Sequence, residues 1–287
     1  MSDKPTKPVR KRASKKAAEP PPDQLTETLQ RTVDEGVFRL TRSVPGLLAT
    51  GLVGGADVAV GVFALLIVKT DTGNDLAAAL AFPVGFIALT LASSELFTEN
   101  FLVPIAALLA AKTRVRDVGR LWIGTLAMNL VAGWCVVGLV ASGFPRFGAT
   151  AVEVGSTYVG FGIGWRSMAG AILGGAVITL MTWMERATES VPGKLVAAFS
   201  AAFVLAAAPL NHVIVVSLEM FVALQYGAPF GYLDWATIAA WYALGNIIGG
   251  VGLVTGLRMV QVGKRLEVER VSDRPVAVGS PGDDTTE

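Results

Sequence analysis

The 287-residue chain is 52% hydrophobic and 16% charged, and its 24 basic and 23 acidic residues leave a formal net charge of +1. This composition excludes an ordinary soluble domain, because the charged residues crowd into a few segments separated by long apolar runs. One histidine, one cysteine and the lack of metal-ligand spacing argue against a metal centre and an enzyme's catalytic constellation, and no cofactor is implied.

Residues 1–22 carry a basic sequence, KPTKPVRKRASKK, at positions 4–16. Such a segment can contact anionic lipid or nucleic acid. Its place before a membrane domain favours a disordered cytoplasmic tail near lipid headgroups, so membrane lipid is the expected partner and nucleic acid is not.

Residues 23–42 are predicted to form an amphipathic helix along the cytoplasmic interface, with Asp23 as its N-cap. The apolar residues that recur every three or four positions are Leu25, Leu29, Val33, Val37 and Leu40. A helix packed against a soluble partner is the alternative.

Residues 43–262 are predicted to form a transport domain with six membrane spans. One crossing of about 30 Å of hydrocarbon needs roughly 20 apolar residues. The segments that fit one crossing each are Val44–Val68, Leu121–Gly143, Ser167–Met184 and Ala236–Val260. Two longer segments, Leu76–Ala111 and Leu195–Gly227, are interrupted by SSELFTEN and PLNH, and each is interpreted as one broken span. Residues 263–287 are assigned to a C-terminal tail.

The two interruptions predict where a pore lies, because irregular backbone at membrane depth is tolerated only when it is buried in protein or lines a cavity. With both termini cytoplasmic, only Lys69, Arg146 and Arg166 of the 24 basic residues lie outside. The positive-inside rule therefore favours this orientation in a plasma (inner) membrane.

The third and sixth spans carry similar segments, MNLVAGW and GNIIGGV. Each places an asparagine ahead of a glycine at helical spacing, Asn129 with Gly133 and Asn246 with Gly250. Small residues allow close helix approach in lipid, and the amide is interpreted as a hydrogen-bonding contact between helices. The chain is therefore predicted to be an all-α membrane protein with two inverted three-helix repeats, in which helices 2 and 5 are broken.

A half-helix that starts inside the membrane presents free N–H groups, and two such ends facing one cavity favour a small anion. Thr98 is a candidate cap for the first half-helix, and Asn211 or His212 stands at the head of the second. His212 is the chain's only histidine, and a histidine in a membrane interior indicates function unless it bonds structurally to a neighbouring helix. Glu95 and Glu99 flank the first interruption and would oppose an anion unless protonated, bonded to backbone N–H groups or turned away.

Three segments together resemble the formate/nitrite transporter family, and SELFTEN is most similar to its YfdC-like branch. They are PVGFIALTLASSELFTENFL, PLNH and LGNIIGG, and the resemblance covers residues 25–262. It implies six spans per protomer, an aquaporin-like appearance and a homopentamer with a separate pore in each protomer. By resemblance, His212 matches the central pore histidine and Thr98 the threonine facing it. The positions that match the constrictions or the gating loop are Phe82, Leu96, Phe97 and Leu205.

The sequence departs from the family pattern at three positions. A vestibule lysine is absent, with Val159 at the ungapped position and Arg166 as the nearest cation. A polar fourth-span position near the pore corresponds to Gly175, and Glu99 replaces a small residue after SELFT. These changes alter anion attraction at the vestibule and at the centre.

The leading hypothesis is a channel or transporter for a small monovalent anion or its weak acid, with a proton linked to passage through His212. One alternative is a channel for water or small neutral solutes, which the extra carboxylates would suit. Another is a membrane scaffold or sensor that does not transport, with the basic leader binding a partner.

Overall fold

The computed structural model describes residues 23–272, so the predicted basic tail and residues 273–287 of the predicted C-terminal tail lie outside the described residues. The α-helices of the described part are, in chain order, α1 (Gln24–Thr41), α2 (Val44–Thr72), α3 (Asp75–Ala81), α4 (Val84–Ala92), α5 (Val103–Leu109), α6 (Val115–Gly143), α7 (Gly148–Phe161), α8 (Trp165–Arg186), α9 (Val191–Ala207), α10 (Val213–Gln225), α11 (Tyr232–Ile247), α12 (Gly256–Gln261) and α13 (Gly263–Val271). Short 3-10 helices occupy Phe97–Phe101 and Pro145–Phe147, and Ile248–Thr255 is π-helical.

Within residues 23–272, five helical segments are long and apolar enough to cross a membrane. They are Val44–Thr72, Asp75–Ala92, Val115–Gly143, Trp165–Arg186 and Tyr232–Gln261. Four of these coincide with the four segments predicted to cross once. The helical fold follows from continuous apolar runs whose backbone polar groups are satisfied within each helix.

Within the two long apolar segments the α-helix is not continuous. The α-helix is lost between α4 and α5 over SSELFTEN, and between α9 and α10 over PLNH. A further break, which the sequence analysis did not include, separates α3 from α4 at Pro83. Proline lacks the N–H that would continue the hydrogen-bond ladder, so the helix restarts there.

Helix α7 was also not anticipated. Its buried residues, Ala151, Gly155 and Tyr158, recur at helical spacing, and that face packs against α10. The pattern was visible in the sequence, but the helix has 14 residues and is shorter than one membrane crossing.

Helix α1 lies where the apolar periodicity predicts it, and Asp23 is its N-cap, accepting a hydrogen bond from the Thr26 backbone N–H at 2.9 Å. Its apolar face is covered by protein, because Leu29 and Val33 belong to a buried cluster with Val103 of α5. A salt bridge from Arg265 to Asp23 fastens the start of α1 to α13 and holds the pKa of Asp23 below its usual range.

Buried ion pairs connect α1 to the first interruption. The Arg39 guanidinium contacts the Glu35 carboxylate at 2.7 Å and the Glu95 carboxylate at 3.5 Å, and donates to Asn100 Oδ1 at 3.0 Å. Burial lowers the pKa of Arg39, but the attraction of Glu95 and Glu35 outweighs it and raises the pKa above its usual range. Arg39 therefore stays charged and positions the interruption against α1.

Acidification is expected to weaken this connection through Glu35. Burial raises the pKa of Glu35, but the attraction of Arg39 and of Arg186, whose Nη1 lies 3.3 Å away, outweighs it and lowers that pKa below 4.5. A lowered pKa adds stability above the unfolded-state pKa that is lost as pH falls through the folded-state value. Thermal unfolding in detergent should therefore show Tm falling below pH 4.5, and falling less in Glu35→Gln. An equal fall in both proteins would contradict this account.

Candidate functional site

A buried asparagine holds the backbone of the first interruption. Asn129 on α6 accepts from the Phe97 N–H at 2.9 Å and donates to the Glu95 carbonyl at 2.9 Å. Its amide also donates to the Gly51 carbonyl on α2 at 2.8 Å. Asn129 therefore links two helices, as its pattern suggests, and also fixes the two residues on either side of Leu96.

Asn246 makes the same set of bonds at the second interruption. It accepts from the Val213 N–H at 2.8 Å and donates to the Asn211 carbonyl at 3.0 Å. Its third bond, at 2.7 Å, goes to the Ala171 carbonyl on α8. The residue held between these contacts is His212, which corresponds to Leu96 in the first interruption.

Glycines make room for both asparagines. A Cβ atom on Gly55 would lie 2.3 Å from the Asn129 carbonyl oxygen, and one on Gly175 would lie 2.1 Å from that of Asn246. Gly175 is therefore a helix-packing position of α8 rather than a replaced pore group. A Cβ atom on Gly133 would lie 2.5 Å from the Leu218 side chain, and one on Gly250 would lie 2.5 Å from the Phe101 ring.

His212 and Thr98 meet between the two interruptions. His212 is the N-cap of α10, and its Nδ1 accepts from the Val215 N–H at 3.3 Å. Its Nε2 lies 2.6 Å from Thr98 Oγ1, and both residues are 0% exposed. Because Nδ1 is an acceptor, the neutral ring carries its proton on Nε2 and donates it to the Thr98 hydroxyl oxygen.

Thr98 is not the cap that its sequence position suggested. Leu96 is the N-cap of the 3-10 helix Phe97–Phe101, and Thr98 lies inside that helix. The Glu99 side chain reaches back to accept from the Leu96 N–H at 3.1 Å. Bonding to a backbone N–H, one of the three conditions under which Glu99 would not oppose an anion, is therefore met.

A cavity of about 350 Å³ is bordered by Val215 and Glu219 of α10, and we call it the Glu219 cavity. Its charged and hydrogen-bonding side chains include Lys69, Asp75, Glu153, Tyr158 and Glu219. Lys69 Nζ lies 2.9 Å from the Asp75 carboxylate and 3.0 Å from the Glu153 carboxylate, so its charge is shared between two acids.

A second cavity, of about 260 Å³, is called the Arg39 cavity. Its charged lining residues are Glu35, Arg39, Arg42, Glu99, Glu185, Arg186 and Lys194. Cations outnumber carboxylates by four to three in this lining. His212 and Thr98 lie outside the linings of both cavities.

The residues predicted to constrict the pore are buried. Phe82, Leu96, Phe97 and Leu205 are each at most 4% exposed, and Leu205 lines the Glu219 cavity. The Phe82 ring packs 5.6 Å from that of Phe86. All four belong to one buried apolar cluster.

Three further polar residues that were predicted at the pore or its vestibule have defined contacts. The Glu95 side chain is 2% exposed, and its Oε1 atom lies 2.6 Å from Arg42 Nη1. Arg166 is exposed, with its guanidinium 5.4 Å from the Phe161 ring centroid. Neither residue belongs to the lining of the Glu219 cavity or of the Arg39 cavity, and their place at a pore or vestibule stays a prediction. Asn211, predicted at the pore centre, donates to the Ser167 carbonyl at 2.8 Å.

Sequence reasoning missed two members of the site. Lys69, in the last turn of α2, is the basic residue of the Glu219 cavity. The sequence indicated only that it lies on the outer side of the membrane. Tyr158 donates a short hydrogen bond to Glu219, and its position on the buried face of α7 was the available signal. Glu219 was visible as an intramembrane acid, but its partner lies 61 positions away in sequence.

Comparison with known proteins agrees with this architecture. An FNT family ion channel superposes on the chain with a TM-score of 0.70 and 17% identity, and the match covers 82% of this chain and 99% of that one. A pentameric formate channel with formate bound superposes with a TM-score of 0.65 and 15% identity, and the match covers 77% of this chain and 98% of that one. These similarities show a shared fold.

Curated relatives cover most of the chain. It is 27% identical to the uncharacterized transporter YrhG of Bacillus subtilis (81% of this chain, 91% of the relative) and 25% identical to the formate channel BtFdhC of Bacillus thuringiensis (81% and 92%). It is also 25% identical to the inner membrane protein YfdC of Escherichia coli (83% and 79%). The sequence profile of formate/nitrite transporters matches residues 26–260. The chain therefore belongs to the formate/nitrite transporter family, a family of membrane channels and transporters rather than enzymes.

Proposed function

We propose that the protein is a channel for a small monovalent anion of the formate or nitrite type, or its weak acid, and that a proton passes with the anion by way of His212. The observation that carries this is the 2.6 Å contact between His212 and Thr98, buried where two interrupted helices meet. The similarity to a formate channel over 81% of the chain supports the choice of ligand class.

We infer six spans arranged as two inverted halves, with α3 to α5 and α9 to α10 as the broken spans. The matching bonds of Asn129 and Asn246 support this, because two halves with one plan would place equivalent amides at equivalent interruptions. In this arrangement the Glu219 cavity opens outside and the Arg39 cavity opens to the cytoplasm. Helix α1 then lies at the cytoplasmic interface, with both termini inside.

A homopentamer with one pore in each protomer is the proposed assembly. The likeness to a pentameric channel supports it. The apolar surface of α6 supports it too, because Ile123 and Leu139 are each 73% exposed. Such side chains need lipid or another protomer against them.

The apolar segment between the cavities determines the mechanism. A bare anion loses its hydration among Phe82, Leu205 and Leu96, and that desolvation is costly. When the anion replaces the Thr98 hydroxyl as the acceptor of the His212 Nε2–H hydrogen bond, that bond offsets part of the desolvation cost. A proton that accompanies the anion removes most of this cost, because the neutral acid is easier to desolvate.

Flux into proteoliposomes tests the proposal. Uptake of ¹⁴C-formate should exceed that of protein-free liposomes and rise as the external pH falls from 7.5 to 5.5, because more of the solute then enters with a proton. A flux of water or glycerol that ignores pH, with no uptake of formate or nitrite, would instead favour a channel for neutral solutes.

A further inference from the structure

Glu219 is a buried carboxyl group that the passage past His212 does not use. It lies on α10, is 4% exposed, and borders the Glu219 cavity. The Tyr158 hydroxyl, on α7, donates a short hydrogen bond to Glu219 Oε2. One carboxyl oxygen is therefore occupied by Tyr158.

No salt bridge to Glu219 is formed within residues 23–272. Lys69, the basic residue of this cavity, forms its ion pairs with Asp75 and Glu153 instead. With Glu219 ionised, three carboxylates and one ammonium group line the cavity. An anion entering it then meets net negative charge, and the repulsion is strongest near the buried Glu219, where water screens it least.

We propose that Glu219 and Tyr158 form a binding subsite for small carboxylate-type anions that accepts its ligand only when Glu219 is protonated. The inference rests on the proposed function and adds to it a second group that handles the proton. Tyr158 keeps Oε2 occupied, so the acid O–H of Glu219 donates to the anion in the cavity. Glu219 takes its proton from water in the cavity. When Glu219 ionises, the proton returns to that water and the carboxylate repels the anion.

The pH at which Glu219 becomes protonated depends on the charged and titratable groups around it. From α7 these are Tyr158 and Glu153, and Tyr242 of α11 packs against Tyr158 with ring centroids 6.3 Å apart. Lys69 at the end of α2 and Asp75 at the start of α3 complete the charged lining. At the N-cap of α10, His212 lies about 10 Å from Glu219 along the helix axis.

Ligand binding to the purified pentamer tests the subsite without any need for transport. Formate should raise the Tm of the wild-type protein at pH 5.5 and not at pH 7.5, relative to chloride at equal ionic strength. Glu219→Gln keeps the Tyr158 contact and stays neutral, so formate should raise Tm at both pH values. Tyr158→Phe removes the bond that stabilises the ionised form, so the pH of half-maximal effect should move upward.

Uptake measurements separate this inference from the proposed function. In Glu219→Gln, formate uptake at pH 7.5 should rise about tenfold, towards the value of the wild-type protein at pH 5.5. Asp71→Asn, which changes a half-exposed carboxylate outside the lining of this cavity, is the matched control and should retain the pH dependence. Uptake in Glu219→Gln with unchanged pH dependence, or formate binding equal at both pH values in the wild-type protein, would overturn the subsite while leaving the channel in place. Absence of formate uptake by the wild-type protein would overturn the channel instead.

Discussion

Replacing His212 with asparagine is expected to lower formate uptake about 30-fold, the equivalent of one charge-assisted hydrogen bond of about 2 kcal/mol. The asparagine side chain can still accept from the Val215 N–H and cap α10, because asparagine is among the preferred N-cap residues. It is too short to replace Nε2 beside Thr98. The variant therefore removes the central donor and keeps the helix start, and initial uptake rates into proteoliposomes at pH 5.5 measure the effect.

Two Thr98 variants control this result. Thr98→Ser keeps a hydroxyl beside Nε2 and should retain most of the uptake, whereas Thr98→Val keeps the volume and loses the hydroxyl that holds the ring. The Tm of His212→Asn in detergent should stay near that of the wild-type protein. Uptake by His212→Asn equal to that of the wild-type protein, at equal reconstituted amounts, would contradict a central role for the histidine.

Replacing Asn246 with leucine is expected to destabilise the fold by about 3–5 kcal/mol. The change leaves a buried N–H and two buried carbonyls without the partners that the amide supplies, and each such group costs about 1–3 kcal/mol. Chemical unfolding in detergent, followed by circular dichroism, measures the loss.

Asn129→Leu should cost a similar amount, because Asn129 makes the same three bonds in the other half. Asn74→Ala is the control: Asn74 caps α3 from an exposed position, and losing such a cap costs about 1 kcal/mol. Equal, small effects for all three variants would show that the buried amides do not hold the interruptions.

The sequence predicted the spans because a membrane crossing demands length and hydrophobicity, which are local properties. Val44–Val68 and Leu121–Gly143 could therefore be located to within a few residues at most ends. The sequence did not predict the break at Pro83 or helix α7, because neither changes the mean hydropathy of a long window. Family likeness added His212 and Thr98 as a facing pair, which spacing alone could not join across 114 positions.

The partner of each charged side chain depends on three-dimensional contacts that the sequence pattern does not show. Glu95 and Glu99 are four residues apart, yet Glu95 pairs with Arg42 while Glu99 bonds to the Leu96 N–H. Lys69 and Arg166 were both counted as outside cations, and only Lys69 lines a cavity. Such outcomes depend on side-chain direction at a helix end, which a hydrophobicity pattern does not encode.

The most direct test of the central claim measures formate and protons in the same vesicles. Proteoliposomes loaded with a pH-sensitive dye are given an inward formate gradient at equal internal and external pH, and leakage through protein-free liposomes is subtracted. The account predicts that the interior acidifies in step with ¹⁴C-formate uptake, and that both signals fall together in His212→Asn. Formate uptake without acidification, driven instead by an applied membrane potential, would contradict it.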